Sequence, residues 1–315
     1  MSLDKNYLDQ FIKVTEYAAY GASHFIGKGN KNAADQGAVD KMRIELNKID
    51  MIGTVVIGEG EMDEAPMLHI GEKVGTTKGS ELDIALDPLE GTNFTAKNLP
   101  GAFSVLVVAE KGNLLSAPDT YMEKIVIGAN LPSNLLDLDN SIQKNINLLA
   151  EAKNKKISEL NACVLNRPRH KNIIDTLNEM EVNINFITDG DIAGALSVTG
   201  DNPKNDIYLG VGGGPEGVIA AAALSCYGGQ IQGRLVLDKD EVYRAKKMGI
   251  EDIKKKYNTE DMVKGDVIFS GTGVTDNDLV KGIVVSGDNF TVNTLALHKS
   301  QNIKKKVVNV YKKWI

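Results

Sequence analysis

Apolar residues recur at helical spacing from Leu3 to about Lys28, with Leu8, Phe11, Ile12, Val14 and Ala18 on one stripe, until Gly27-Lys28-Gly29-Asn30 breaks the pattern. A second helix opens at Ala33-Ala34-Asp35-Gln36 and buries Val39, Met42 and Leu46, which places Asp35 in its first turn, toward the space left by the glycine-rich break. Thr54-Val55-Val56-Ile57 is a buried β-branched run ending in the acidic stretch Gly58-Glu59-Gly60-Glu61-Met62-Asp63-Glu64. The run Leu82 to Leu86 is a second buried strand, and it delivers Asp87-Pro88-Leu89-Glu90-Gly91-Thr92 at its carboxyl end. Pro88 has no N–H to donate and is expected to stop sheet pairing there. Strands at Ser104–Glu110 and Lys124–Gly128 then suggest a meander in a first lobe.

The character changes near Leu135. A polar helical stretch around Ser141 to Lys153 leads into alternating strands and helices, with strands at Ala162–Leu165, Asn183–Thr188 and Ile207–Val211 and an apolar helix at Val218–Cys226. A charged amphipathic helix near Glu241–Met248 and strands at Val267–Ser270, near Ile283 and near Val307 complete the pattern. Two α/β lobes sharing one cleft are expected, over residues 1–135 and 136–315.

Candidate chemistry gathers at strand ends. Asp87 and Glu90 lie three apart across a forced turn, so their side chains can converge, and Gly91 leaves room for close approach to the backbone. Two hard anions without a nearby base suit an oxygen-liganded cation such as magnesium or manganese. A helix starting at Thr92 would favour an anion, phosphate above all, at the same place. An isolated D-P-x-E-G-T fits equally well a turn whose carboxylates cap a helix. The acidic stretch around Glu59 is either a solvated loop or backbone made thin for a ligand.

In the second half, Asn166-Arg167-Pro168-Arg169-His170 sets two arginines at a strand end, suited to bidentate capture of phosphate if they are not simply solvated. Asp189-Gly190-Asp191 opens a helix, where one aspartate serves as a cap and two suggest sugar hydroxyls. Gly212-Gly213-Gly214-Pro215-Glu216-Gly217 puts Glu216 at a strand-to-helix junction, a usual ligand position in open α/β sheets, with glycines that let a ligand lie against the backbone. Tyr121, in Ala117-Pro118-Asp119-Thr120-Tyr121, is on its own merits more often packing than a phosphate ligand.

Composition narrows the class. The 315 residues carry a net charge of -6, which argues against general nucleic-acid or membrane-surface binding and requires any phosphate site to be built locally. Two cysteines, Cys163 and Cys226, do not make a disulfide framework, and no apolar run approaches a membrane span, so a cytoplasmic protein is expected. His24, His69, His170 and His298 are scattered and are expected to pack or face solvent.

Taken together, Lys31-Asn32-Ala33-Ala34-Asp35, the segment from Val56 to Leu68, Asp87 to Thr92, Ala117-Pro118-Asp119, Pro168-Arg169-His170, Asp189-Gly190-Asp191 and Pro215-Glu216-Gly217 resemble class II fructose-1,6-bisphosphatases of the bacterial glycerol-regulon (GlpX) type over nearly the whole chain. The D-P-x-[DE]-G-[TS] element alone indicates only the wider lithium-sensitive sugar and inositol phosphatase superfamily. The resemblance implies a layered α/β/α/β/α fold with the active site between two lobes. It implies hydrolysis of the 1-phosphate of fructose 1,6-bisphosphate in gluconeogenesis and glycerol metabolism, with Mn2+ or Mg2+ as cofactor.

By the same resemblance, Asp35, Glu59, Asp87, Glu90 and Glu216 correspond to metal ligands, and Thr92, Asp63 and Lys31 to catalytic residues. Glu90, Gly91, Thr92, Tyr121, Arg167, Pro168, Arg169, Asp189, Gly190, Asp191 and Gly213 correspond to the substrate-binding set. A homo-oligomer, dimer or tetramer, is implied, with a small sugar bisphosphate as the partner and neither nucleic acid nor membrane. The chain departs from the family at Asn30, where Asp is frequent, at His69, where Tyr is common, and at Arg167, where Lys also occurs. Another sugar- or inositol-phosphate phosphatase of the superfamily, and a sugar-phosphate sensor without activity, are the alternatives. Sedoheptulose 1,7-bisphosphate as a second substrate is compatible with the same residues.

Overall fold

A computed structural model describes residues 2–59 and 68–313. The expected catalytic Asp63, with Glu61 and Glu64 of the acidic stretch, lies outside the described residues.

The N-terminal apolar stripe forms α1 (Asn6–Ser23), with Leu8, Phe11, Ile12, Val14 and Ala18 buried as expected. The glycine-rich break separates it from α2 (Lys31–Leu46), which Asn30 caps by accepting the Ala33 N–H at 3.1 Å. The two helices meet at Gly21 and Gly37, where a Cβ on Gly21 would overlap the Gly37 carbonyl, so only glycine permits this crossing.

There follow β1 (Met51–Ile57), β2 (Lys73–Val74), β3 (Ser80–Glu90), α3 (Thr92–Lys97) and β4 (Phe103–Glu110). The next stretch comprises β5 (Tyr121–Ile127), α4 (Ile142–Lys153), β6 (Asn161–Leu165), α5 (Lys171–Glu179), β7 (Asn183–Ile187), α6 (Asp191–Leu196), β8 (Ile207–Gly213) and α7 (Gly214–Tyr227). It continues through β9 (Gln230–Val236), α8 (Lys239–Lys247), β10 (Tyr257–Asn258) and α9 (Thr259–Met262). The C-terminal part supplies β11 (Val267–Gly273), β12 (Val284–Ser286), β13 (Asn289–His298) and β14 (Ile303–Lys312). This is a mixed α/β fold, as expected from the alternating periods.

The strands form two mixed sheets. One runs β12-β13-β11-β4-β3-β1-β2 with β14 paired to β13, and the other runs β10-β9-β5-β8-β6-β7. The compact units follow the sheets: residues 1–115 with 264–315, and residues 116–263. Two sequence expectations therefore change. The strand at Lys124 does not continue a meander from β4, because β4 pairs β3 and β11 while β5 lies between β8 and β9 in the other sheet. A division at residues 135 and 136 would give β11–β14 to the second lobe, yet their hydrogen bonds place them in the first sheet, through β11 against β4.

In the first unit, α1 packs on β4, β11 and β13, and a chain of buried polar groups runs along that contact. Thr15 bonds Ser270 and Thr272, Thr272 bonds Thr294, and Thr294 donates to Glu16, which also accepts from Asn309 and Tyr311. Burial pushes the Glu16 carboxyl up despite these three donors.

In the second unit, odd-numbered β5 residues Ile125 and Ile127 join Ile146 and Leu149 of α4 and Leu177 of α5 in one core, whereas the even-numbered side faces α7. The unit thus has helices on both faces of its sheet. Helix α7, apolar all round, is almost wholly buried. Both cysteines are buried thiols. Among the described residues, no helix is long and apolar enough to cross a membrane.

Asp266 ties the first unit's termini together. Its carboxylate accepts from the Leu3 N–H at 2.8 Å, the Ser300 N–H at 2.8 Å, the Ser300 hydroxyl at 2.7 Å and His298 Nε2 at 3.0 Å. Burial alone would raise its pKa, but the bonds from Ser300, His298 and Leu3 outweigh it and hold the group at about 2, below the ordinary 3.8. A depressed native pKa contributes stability that is complete above the unfolded value and fades as pH falls through the native one. Urea melts of the wild type and Asp266→Asn should therefore differ by roughly 2 kcal/mol at pH 7 and converge toward pH 2. A difference independent of pH would mean that packing, not charge, is lost.

Candidate functional site

Strand pairing builds the acidic end of the first unit. β1 and β3 are parallel neighbours with Ile57 opposite Ala85, so Glu59 and Asp87, each two residues farther on, leave the same end of the sheet. The Glu59 N–H is held by the Leu68 carbonyl at 3.3 Å.

Pro88 does not end β3. Pairing to β4 resumes at Glu90 opposite Phe103 after Asp87 opposite Val105, so three steps on β3 match two on β4. The proline, which has no N–H to pair, is absorbed by a β-bulge. The Asp87 carboxylate accepts the Leu89 N–H at 3.0 Å across the bulge, and Glu90 emerges buried at 5% exposure.

Gly91 follows with φ 79, and a Cβ there would stand 2.8 Å from the Phe94 ring, so conformation and space both require glycine. Thr92 starts α3 half-buried. At six residues, α3 is too short to supply the full helix dipole anticipated at Thr92.

α2 packs against β3 and α3, so Asp35 in its first turns belongs to the same unit as these strand ends. Burial pushes the Asp35 carboxyl up to about 6, and among the described residues no hydrogen bond to it relieves the burial. Asn30, the departure from the family pattern, serves as the α2 cap, a role Asp fills equally well. Lys31 is exposed at the first helical position.

The second unit brings other expected residues together. The Arg167-Pro168-Arg169-His170 turn sits against β8: Arg169 Nε and Nη2 donate to the Val211 carbonyl at 2.9 and 2.8 Å. Its guanidinium lies 4.8 Å from the centre of the Tyr121 ring, a cation–π contact at an exposed tyrosine. Arg167 is half-buried and Pro168 exposed.

His170, fully buried as the packing expectation had it, explains why this turn holds. Its Nδ1 lies 2.7 Å from the Leu165 carbonyl and its Nε2 accepts the Val211 N–H at 2.8 Å, an arrangement that selects the neutral Nδ1–H tautomer. Adjacent residues 169 and 170 thus grip both polar groups of residue 211.

Asp189 accepts the Gly190 N–H at 3.1 Å, Gly190 turns the chain with φ 86, and Asp191 begins α6. The Asp191 carboxylate is already engaged by the Tyr208 hydroxyl and by Lys124, which leaves it acceptor capacity for further donors.

The glycines before Glu216 do not leave open backbone. A Cβ on Gly212 would fall on the Asp191 carboxylate and one on Gly213 on the Glu216 carboxylate, so the chain's own carboxylates fill that space. Glu216 Oε2 is buried and accepts no hydrogen bond among the described residues, and burial pushes the Glu216 carboxyl up.

These donors are all carboxylate oxygens, which fits a hard divalent cation, and an orphaned buried oxygen on Glu216 is what such a cation would satisfy. Among the described residues, however, no group of three or more His, Cys, Asp or Glu side chains is placed to hold a metal ion. Lys124 escaped the sequence analysis. Its signal was its alternation with Met122 and Val126, both buried on the same face of β5.

Mixed α/β units with carboxylates at strand ends are consistent with the α/β phosphatase class of fold. Residues 5–311 match the model of a family described as bacterial fructose-1,6-bisphosphatase, glpX-encoded. A fructose-1,6-bisphosphatase 1 class 2 of Escherichia coli strain K12 is 42% identical over 312 residues, 94% of this chain and 92% of that protein. A D-fructose 1,6-bisphosphatase class 2/sedoheptulose 1,7-bisphosphatase of Trichodesmium erythraeum is 40% identical over 300 residues, 87% of each. Of solved structures, an extragenic suppressor from Pyrococcus furiosus aligns with 61% of this chain and 70% of its own at 13% identity and a TM-score of 0.31, too distant to bear on the fold. The chain belongs to the bacterial, glpX-encoded class 2 fructose-1,6-bisphosphatase family, whose members depend on a divalent metal.

Proposed function

We propose that this chain hydrolyses the 1-phosphate of D-fructose 1,6-bisphosphate to fructose 6-phosphate and inorganic phosphate. The observation that carries this reading is the departure of Glu59 and the Asp87-to-Thr92 segment from one end of parallel neighbours β1 and β3, in a chain matched to the family over residues 5–311. Asp35, Glu59, Asp87, Glu90 and Glu216 are the proposed ligands of Mn2+ or Mg2+. A cation held by these carboxylates would supply polarisation of the phosphoryl oxygens and offset charge on the leaving oxygen.

The chain's own residues divide the remaining work. Thr92 presents a hydroxyl that either attacks phosphorus or orients the attacking water, with Lys31 and Asp63 completing the catalytic group. In the overall reaction the bond from phosphorus to the C1 oxygen breaks, water supplies the new P–O bond and the C1 oxygen takes a proton. Glu90, Gly91 and Thr92 flank the reacting phosphate. Tyr121, Arg167, Pro168 and Arg169 take the distal phosphate, and Asp189, Gly190, Asp191 and Gly213 the sugar. We place the enzyme in the cytoplasm as a homo-oligomer.

Phosphate release from fructose 1,6-bisphosphate, inositol 1-phosphate and fructose 6-phosphate, each with manganese, magnesium or chelator, tests this directly. Release of one phosphate from the bisphosphate alone, abolished by chelator and restored by metal, is expected. Preference for a monophosphate would overturn the substrate, and release unaffected by chelator would overturn the metal. Because the Trichodesmium relative is named for both activities, sedoheptulose 1,7-bisphosphate is proposed as a second substrate, to be measured beside the first.

A further inference from the structure

Lys124 lies midway along β5 at 2% exposure, deeper than a lysine sits without specific partners. Its stem passes beneath α7, where a Cβ on Gly217 would come within 3.3 Å of Lys124 Cδ. Its ammonium donates to the Asp191 carboxylate at the start of α6 and to the Gly213 carbonyl, at 2.6 Å, at the end of β8. These two partners belong to separate turns, and the lysine spans them from the strand below. The Glu216 carboxylate rests against the same Gly213, yet the ammonium bonds the carbonyl and not that carboxylate, whose Oε2 stays without a hydrogen bond among the described residues.

We propose that Lys124 is a positioning residue that fixes the Gly213–Glu216 turn so that the Glu216 carboxylate is held ready for a divalent cation. The inference rests on the reading of Glu216 as a metal ligand. A lysine ammonium would not occupy this place for its charge alone, since a positive group near a cation site repels the cation. What it contributes is geometry: it anchors the backbone from which Glu216 extends, and it pairs with Asp191. The rule that outer-shell partners orient ligands applies here to a backbone carbonyl one turn from the carboxylate.

The sign of one measurement separates the two roles. Mn2+ binding is followed by the electron paramagnetic resonance signal of the free ion, with no substrate present. Glu216→Gln should weaken binding; if it does not, the metal reading of Glu216 fails, whatever Lys124 does. With that established, Lys124→Met is expected to weaken Mn2+ binding by about 10- to 100-fold. Binding that is unchanged, or tighter as relief of repulsion would make it, overturns the positioning role. Combined with Glu216→Gln, Lys124→Met should add no further loss, and an additive loss would likewise overturn it.

If Lys124→Met fails to fold because Asp191 is left unpaired, Lys124→Met/Asp191→Asn removes both charges of the pair and is measured with the same outcomes. Tyr208→Phe takes away the other donor to Asp191 but leaves the lysine bridge, and should bind Mn2+ like the wild type. Weakening by Tyr208→Phe equal to that by Lys124→Met would assign the effect to Asp191 and overturn the bridge.

Discussion

Thr92→Ala is expected to lower turnover of fructose 1,6-bisphosphate by about 10²- to 10⁴-fold, the scale on which a positioned proton-transfer group acts, while leaving the melting temperature near that of the wild type. The stability part follows from the position. Thr92 is the first residue of α3, half-buried, and alanine is a better helix former than threonine, so the substitution removes a hydroxyl and little else. Thr92→Ser keeps the hydroxyl and should retain activity. Glu59→Gln should also abolish most turnover at low metal, but with a different signature. It removes charge from a proposed ligand, so the Mn2+ concentration needed for half-maximal rate rises, whereas Thr92→Ala leaves that concentration unchanged. Turnover of Thr92→Ala within tenfold of the wild type would remove this hydroxyl from the chemistry.

The second large effect is on substrate affinity. Arg169→Ala should raise KM for the bisphosphate by roughly 10- to 100-fold, the loss of charge-assisted hydrogen bonds worth about 1.5–3 kcal/mol, with kcat changed far less. Arg169 spends Nε and one Nη2 hydrogen on the Val211 carbonyl, and a guanidinium carries five N–H donors, so three remain for an anion. The Val211 contact and the Tyr121 ring hold the plane in place before substrate arrives, which limits the ordering cost on binding. Tyr121→Ala should therefore raise KM by a smaller factor, in keeping with about 0.5–1 kcal/mol for an exposed cation–π contact. Equal losses in kcat and KM for Arg169→Ala would contradict an anchoring role.

Much of this was visible in the residues alone, and the failures have physical causes. The helices α1 and α2 and the strands β1 and β3 were legible because period and breaker residues agree over long stretches. Pro88 was expected to end a strand, but a missing donor ends pairing only when no bulge takes it up, and whether one does depends on the partner strand. The sheet membership of β5 and of β11–β14 was illegible for a related reason: alternation shows that a strand has a buried face and not which neighbour it pairs with. In the sequence, the glycines of Gly212 to Gly214 read as space for a ligand. A glycine run signals close approach without saying by what, and here Asp191 and Glu216 of the same chain come near. Lys124 illustrates the same point, since a lysine in a strand usually marks the wet face, whereas Met122 and Val126 on either side place this one on the dry face.

The first unit's sheet is assembled from two stretches of chain separated by the whole second unit, since β4 pairs on one side with β3 and on the other with β11. During synthesis the apolar edge of β4, with Val105, Leu106, Val107 and Val108 all buried in the finished protein, therefore waits for its second neighbour. At translation rates of about 5–20 residues per second, the delay before β11 is made is on the order of ten to thirty seconds. An unpaired apolar strand edge is a template for association with other chains. The second unit is encoded by one uninterrupted stretch that ends at Val263, four residues before β11 begins, so for nearly all of that interval both units are incomplete, and they reach their full complement of strands almost together.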